Sequence, residues 1–206
     1  RSDDPGNATR DTKDKVLLGK SFVEEEILGL RFRISTESFF QTNSEQTEKL
    51  YAAAIEFAGL TGRELVFDLY CGSGTIGIAM AEHAKQVWGV EIVQEAVEDA
   101  AVNANLNGVT NADFLAGDMR LALPQLIEHA GTPDVVVLDP PRAGLSAKVV
   151  RRVMEAAPKR IVYVSCNPDT LAPNLKQIVE RGYALRRVRP VDMFPHTPHN
   201  ESVSVL

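Results

Sequence analysis

The sequence predicts an α/β protein: a doubly wound, mostly parallel sheet of seven strands, an antiparallel hairpin at one edge, and a small β appendage at the N-terminal side. Three observations carry that expectation. Residues 65–77 read LVFDLYCGSGTIG, an apolar strand that runs into a glycine loop of GxGxxG spacing and then an apolar helical start, the entry to a nucleotide-binding unit. From there to residue 181, short β-branched runs alternate with helical patterns, which implies parallel strands covered on both faces. The last two strands follow one another without an intervening helix, which predicts the edge hairpin.

Taken in order, residues 1–15 are charged, hold Pro5 and Gly6, and lack periodicity, so they read as a frayed end. From Val16 to Thr36, short apolar pieces break at Gly19 and Gly29, and Leu30, Phe32 and Ile34 alternate as in an antiparallel meander. Residues 1–38 are therefore set apart from a main domain over 39–206. Asn43 or Ser44 caps a helix with Leu50, Ala54, Ile55 and Ala58 on one face, and Gly59 and Gly62 end it. Strands are expected at Leu65–Leu69, Gln86–Val90, Ala112–Ala116, 134–139, 160–165, Tyr183–Val191 and Ser202–Leu206. Between them lie helices at Thr75–His83, Val93–Asn107, 119–130 with Pro124 near a turn, Ala147–Ala156 and Leu171–Arg181.

With 206 residues and 44% hydrophobic content, the chain can bury one sizeable core. No apolar run approaches the roughly 20 residues that cross a bilayer, and the polar start is unlike a signal peptide; the expectation is a cytoplasmic protein with no membrane partner. Cys71 and Cys166 stand in unrelated contexts without metal-ligand spacing, as free thiols of a reducing compartment do. The net charge of −6 argues against a general nucleic-acid binder. Its distribution is uneven, however: residues 1–138 carry 11 Lys and Arg against 22 Asp and Glu, and residues 139–206 carry 11 against 6. The basic part suits a polyanion as well as it suits an ordinary solvated surface.

In such a sheet, ligands sit beyond the carboxyl ends of the strands. Those ends carry Asp68 to Gly74, Glu91, Asp118, the run Asp139-Pro140-Pro141-Arg142, and Ser165-Cys166-Asn167-Pro168. Gly72 and Gly74 allow close approach to a cofactor, and Glu91, 19 positions after Gly72, is placed for ribose hydroxyls. A dinucleotide and S-adenosylmethionine fit this pattern equally. Asp118 is either an acceptor for an adenine amino group or a helix cap. Cys166 leaves its strand beside a proline that fixes the loop, where a thiol serves as a nucleophile, whereas Cys71 reads as packing beneath the cofactor. Near the end, VDMFPHTPHNESV holds an HxxH pattern and Glu201. Pro198 lies between the histidines and is incompatible with a metal-binding helix, so no metal is expected, and Glu201 is either a general base or a strand-end acid.

The segments FFQTN, DLYCGSGTIG, GVE, LDPPRAGL, YVSCNPDTL and VDMFPHTPHNE, in this order, resemble the catalytic domain of the RNA uracil-5-methyltransferases, which make 5-methyluridine in transfer and ribosomal RNA. The resemblance spans nearly all of residues 16–206 and implies a class I methyltransferase (Rossmann-like) fold using S-adenosylmethionine. It also implies Cys166 as nucleophile and Glu201 as base, with cofactor contacts from Gln41, Tyr70, Gly72, Gly74, Glu91, Asp118 and Asp139. The target uridine must leave its RNA stack, which makes Phe39, Phe40, Arg142 and Phe194 its expected contacts. The family's N-terminal RNA-binding barrel and cysteine-bound iron–sulfur cluster have no counterpart here, and two cysteines cannot ligate such a cluster. The chain thus reads as the catalytic part of a longer protein, with residues 1–38 the remnant of a central domain.

Three other readings compete. A dinucleotide-dependent oxidoreductase explains GxGxxG and Glu91 but leaves SCNP and DPPR without a role. A non-catalytic RNA-binding module on the same fold gives Cys166 no function. A methyltransferase acting on an exocyclic nitrogen uses Asp139-Pro140-Pro141 but has no need of Cys166.

Overall fold

The computed structural model describes residues 19–35, 39–197 and 200–206. The expected frayed end, the edges of the meander at 16–18 and 36–38, and Pro198 with His199 lie outside the described residues. The described appendage is a hairpin, β1 (Phe22–Ile27) with β2 (Leu30–Ser35), paired antiparallel. Its turn residues Leu28 and Gly29 both have positive φ, 53° and 74°, the geometry that matches a tight turn to the strand twist. Helix α1 (Ser44–Ala58) follows and is capped by Asn43 rather than Ser44: the Asn43 side chain accepts from Gln46 N, and Gly59 ends the helix in the left-handed region.

The main domain alternates as expected: β3 (Leu65–Leu69), α2 (Thr75–Ala81), β4 (Gln86–Glu91), α3 (Gln94–Leu106), β5 (Ala112–Ala116), α4 (Met119–Ala130), β6 (Val135–Leu138), α5 (Ala147–Ala156), β7 (Arg160–Ser165), α6 (Pro168–Val179), β8 (Arg187–Val191) and β9 (Glu201–Val205). The seven-stranded sheet has the order β5-β4-β3-β6-β7-β9-β8. β3 to β7 pair in parallel, and β9 runs antiparallel between β7 and β8. This is the class I Rossmann-like methyltransferase fold.

Successive strand residues point to opposite faces, and the core divides accordingly. Val66, Val137, Val162, Val164 and Val203 pack against α1, α2 and the hairpin residues Ile27 and Phe32. Phe67, Leu69, Val136, Leu138, Ile161 and Tyr163 pack against α4, α5 and α6. β6 is buried along its whole length, as a central parallel strand must be.

A few boundaries differ from expectation. α6 begins at Pro168, three residues earlier, because Asn167 caps it and a proline at the first helical position has no N–H to satisfy. α4 runs unbroken through Pro124. β8 starts at Arg187 instead of Tyr183, and α2 ends at Ala81 in a turn closed by His83 N on Met80 O, 2.9 Å.

Candidate active site

Chain order reverses between the neighbours β3 and β6, and a ligand crevice forms at such a switch point, beyond the strand ends. The loop after β3 is tightly wound. Gly72 and Gly74 have φ of 53° and 82°, and a Cβ on Gly74 would lie 2.9 Å from Ala100 Cβ, whereas one on Gly72 would meet nothing within 4 Å. Gly72 therefore faces open space, as a cofactor cradle requires. Tyr70 also takes a positive φ, 68°, a strained conformation for a bulky residue of the kind found at functional sites. Glu91 braces the loop from β4: its carboxylate accepts from Gly72 N at 3.2 Å, Ile92 N at 2.7 Å and Val93 N at 3.0 Å.

Asp118 caps α4 through Arg120 N at 2.8 Å and also pairs with the Arg120 guanidinium. The Arg120 side chain, then its backbone N–H, hold Asp118 down to about 2. The Tyr70 hydroxyl is pushed up by burial and then by the charges of Asp118 and Glu91.

On the other side of the switch point, Cys166 stands near two further carboxylates, Glu201 and Asp139. Glu201 opens β9, and the register Ser165↔Ser202 sets it beside the end of β7, where Cys166 follows Ser165. Glu201 is 3% exposed and burial pushes it up to about 7. The half-buried Cys166 thiol is raised by burial, then by Glu201 and Asp139, with Arg142 acting weakly the other way. Burial, then Glu201 and Asp68, push Asp139 well above the usual range for an aspartate.

Asp68 of β3 is a further buried carboxylate, one to which the sequence assigned no role of its own. It is 1% exposed in the middle of β3; Oδ2 accepts from Gly77 N at 2.9 Å, and Oδ1 has no hydrogen-bond partner among the described residues. Beneath the carboxylates, Tyr51 of α1 shares a hydrogen bond with Thr75 at 3.0 Å. Its hydroxyl is raised by burial, and Asp139, Asp68 and Glu201 add to this. Tyr51 reads in sequence as one more apolar position of a helix, so only the fold reveals it here.

Burial pushes Asp68 up to about 7 from 3.8, so the folded chain holds a proton that the unfolded chain loses near pH 4. The stabilising contribution is full below about pH 4 and is lost as pH rises through about 7. Asp68→Asn keeps an acceptor for Gly77 N and cannot ionise. It is expected to raise the melting temperature by several degrees at pH 8, with an upper bound of about 4 kcal/mol. The gain should shrink towards pH 5, which thermal unfolding across that range checks.

The loops carrying Asp139 and Cys166 are tied together. The Arg142 carbonyl accepts from Asn167 Nδ2 at 3.1 Å and Thr170 Oγ1 at 3.2 Å. Asn174 of α6, 5% exposed, accepts from Leu145 N at 2.8 Å and Tyr163 OH at 2.9 Å, and donates to Leu145 O at 3.0 Å. Among the remaining sequence candidates, Gln41 is buried, and Phe39, Phe194 and Arg142 are exposed. Asn43 Nδ2 donates to Met193 O at 3.1 Å and so holds the Phe194 segment to the start of α1.

A groove of about 680 Å³ lies elsewhere, lined by residues just before β4 and β5 such as His83 and Asn111, and touches none of these groups. Among the described residues, no His, Cys, Asp and Glu side chains gather as a metal site, and no helix is long and apolar enough to cross a membrane.

Residues 7–206 match the tRNA (uracil-5-)-methyltransferase family. An uncharacterized RNA methyltransferase of Bacteroides thetaiotaomicron is 54% identical over 192 residues, covering 93% of this chain and 42% of that protein. One of Lactiplantibacillus plantarum is 51% identical over 194 residues, covering 94% and 42%. The chain therefore spans about two-fifths of the length of these relatives. Among solved structures, the tRNA (uracil-54, C5)-methyltransferase of Pyrococcus abyssi in complex with S-adenosyl-L-homocysteine superposes with a TM-score of 0.80 at 37% identity, covering 92% of this chain and 45% of that one.

Proposed function

The chain belongs to the tRNA (uracil-5-)-methyltransferase family, and from that premise we propose that it transfers a methyl group from S-adenosylmethionine to carbon 5 of a uridine in ribosomal or transfer RNA. In this reading residues 39–206 are the catalytic domain and 1–38 its appendage, in a cytoplasmic protein longer than this chain. The observation that carries the proposal is the half-buried thiol of Cys166 at the end of β7, beside the buried Glu201 that opens β9 and next to the neighbouring strand β6, which Asp139 follows.

S-adenosylmethionine fits these residues. Its ammonium and sulfonium are cations, which suits a cleft lined by carboxyl groups, among them Asp68 with an oxygen that has no hydrogen-bond partner among the described residues. In this reading Gly72 would allow close approach and Gly74 the turn of the loop, Glu91 would hold the ribose, Asp118 with Tyr70 the adenine, and Gln41 with Asp139 the methionine end. When bound, the cofactor supplies an electrophilic methyl group.

The remaining chemistry falls to the chain's own side chains. Carbon 5 of uracil is a weak nucleophile. Cys166, its proton lost to the solvent that reaches it, would bond through Sγ to carbon 6, and the electron pair of the 5–6 double bond would move into an enolate whose carbon 5 takes the methyl group as the sulfonium S–CH3 bond breaks, leaving S-adenosylhomocysteine. The Glu201 carboxylate then removes the carbon 5 proton, the double bond re-forms and the thiolate leaves. Phe39, Phe194 and Arg142 are read as contacts to the unstacked base and its backbone.

Titration with S-adenosylhomocysteine and with NAD, followed by nucleoside mass analysis of treated RNA, tests this function. The expected result is binding of the first alone and appearance of 5-methyluridine; binding of NAD without S-adenosylhomocysteine would overturn it.

The Asn174 clamp adds a further expectation. Asn174→Leu should lower the turnover rate about ten-fold or more with little change in S-adenosylhomocysteine affinity, since it loosens the loops that orient Asp139 and Cys166. Asn174→Asp, which keeps both accepted hydrogen bonds, should recover part of the loss in single-turnover assays.

A further inference from the structure

The edge of β2 that faces away from β1 is not left open. It is paired by side chains of α3. Asn107 accepts from Arg31 N at 2.9 Å and donates to Arg31 O at 2.7 Å. Asn103 accepts from Arg33 N at 2.7 Å and donates to Arg33 O at 3.1 Å. Asp99 accepts from Ser35 N at 3.1 Å. The spacing explains why three rungs stay in register: four helical residues rise about 6 Å, close to the roughly 6.8 Å that two strand residues span.

The middle rung reaches further. Asn103 is fully buried, and its second amide hydrogen goes to Ser73 O at 3.1 Å, between Gly72 and Gly74 in the glycine loop. Both donors of the amide are thus used, one on the hairpin and one on the loop. One turn earlier on α3, Ala100 packs directly beneath Gly74, where a Cβ would come within 2.9 Å. Ser73 Oγ and Arg33 Nε, on the two residues that this bridge joins, are buried without a hydrogen-bond partner among the described residues.

We infer that Asn103 is a positioning residue through which docking of the β1–β2 hairpin on α3 sets the conformation of the glycine loop and hence its affinity for the cofactor. The inference rests on the reading of that loop as the cofactor cradle. The hairpin is then part of the cofactor site without touching the ligand, and any segment that pulls on it changes cofactor binding.

The test is calorimetric titration of the 206-residue chain with S-adenosylhomocysteine. Asn103→Asp keeps the acceptor for Arg33 N but loses both donors and sets a carboxylate against two carbonyls. It is expected to weaken binding at least ten-fold, with its far-UV circular dichroism unchanged. Asn107→Ala breaks the outer rung and the bond of Asn107 Nδ2 to Asn103 O at 2.8 Å, neither of which touches the loop, and should weaken binding about three-fold while amide exchange at residues 72–74 speeds up. Should Asn103→Asp fail to fold, Asn107→Ala decides alone. Unchanged affinity and unchanged loop exchange in Asn107→Ala, with only a lower melting temperature, would overturn the inference and leave the ladder purely structural. Failure of the unmodified chain to bind S-adenosylhomocysteine at all would instead overturn the proposed function.

Discussion

Cys166→Ala is expected to lower methyl transfer to uridine by about 10⁴-fold or more while leaving S-adenosylhomocysteine affinity within two-fold. The reason is local. Cys166 lies between the end of β7 and the Asn167 cap of α6, is half-buried, and its side chain makes no hydrogen bond to another of the described residues. Its loss removes the bond to carbon 6 and little else. Single-turnover transfer of a labelled methyl group measures the first effect and calorimetry the second. Activity within ten-fold of the unmodified chain would place the nucleophile elsewhere, and would favour either a nitrogen target or a module without this chemistry.

Glu201→Gln is expected to lower overall turnover by about 10² to 10⁴ while letting the first half of the reaction proceed. Without a base for the carbon 5 proton, the thioether to carbon 6 cannot be eliminated, so a methylated, covalent chain–RNA species should accumulate on denaturing gels. Two further signs separate this role from a structural one. Glu201 is the leading electrostatic cause that raises the Cys166 thiol, after burial, so its neutral isostere should make Cys166 react faster with iodoacetamide at neutral pH. Glu201 is itself raised to about 7, so its basic form is lost as pH falls through that value. The rate of the unmodified chain should therefore drop below about pH 7, and this limb should be absent from the residual activity of Glu201→Gln. Because Asp139 and Asp68 share the cleft, the observed midpoint belongs to the group as a whole.

The strand ends were legible in the sequence because each announces itself: Glu91 ends QVWGVE, Asp139 ends DVVVLD and Cys166 leaves RIVYVS. The closing of the site was less so. Glu201 reaches Cys166 only because β9 inserts antiparallel between β7 and β8, a pairing that no local pattern specifies. Asp68, Tyr51, Asn103 and Asn174 were harder still. In sequence, Tyr51 is part of an apolar helical face, and Asn103 and Asn174 look like polar positions turned to solvent. Their function comes from partners brought by the fold: a thirty-residue reach from Asn103 to Ser73, and a twenty-nine-residue reach from Asn174 to Leu145. Pro168 is a milder case, since the same restricted φ that ends a strand also suits the first turn of a helix, and the Asn167 cap decides in favour of the helix.

The central claim is that Cys166 and Glu201 act on one pyrimidine beside one methyl donor. RNA carrying 5-fluorouridine tests it most directly, because fluorine at carbon 5 cannot be removed as a proton and the reaction stops with the bond to Sγ intact. Intact-mass analysis of the chain after incubation with this RNA and S-adenosylmethionine should find a species heavier by the oligonucleotide plus one methyl group, mapped to Cys166 and absent in Cys166→Ala. A chain that binds S-adenosylhomocysteine and yet forms no such species with any RNA carrying 5-fluorouridine would contradict the account.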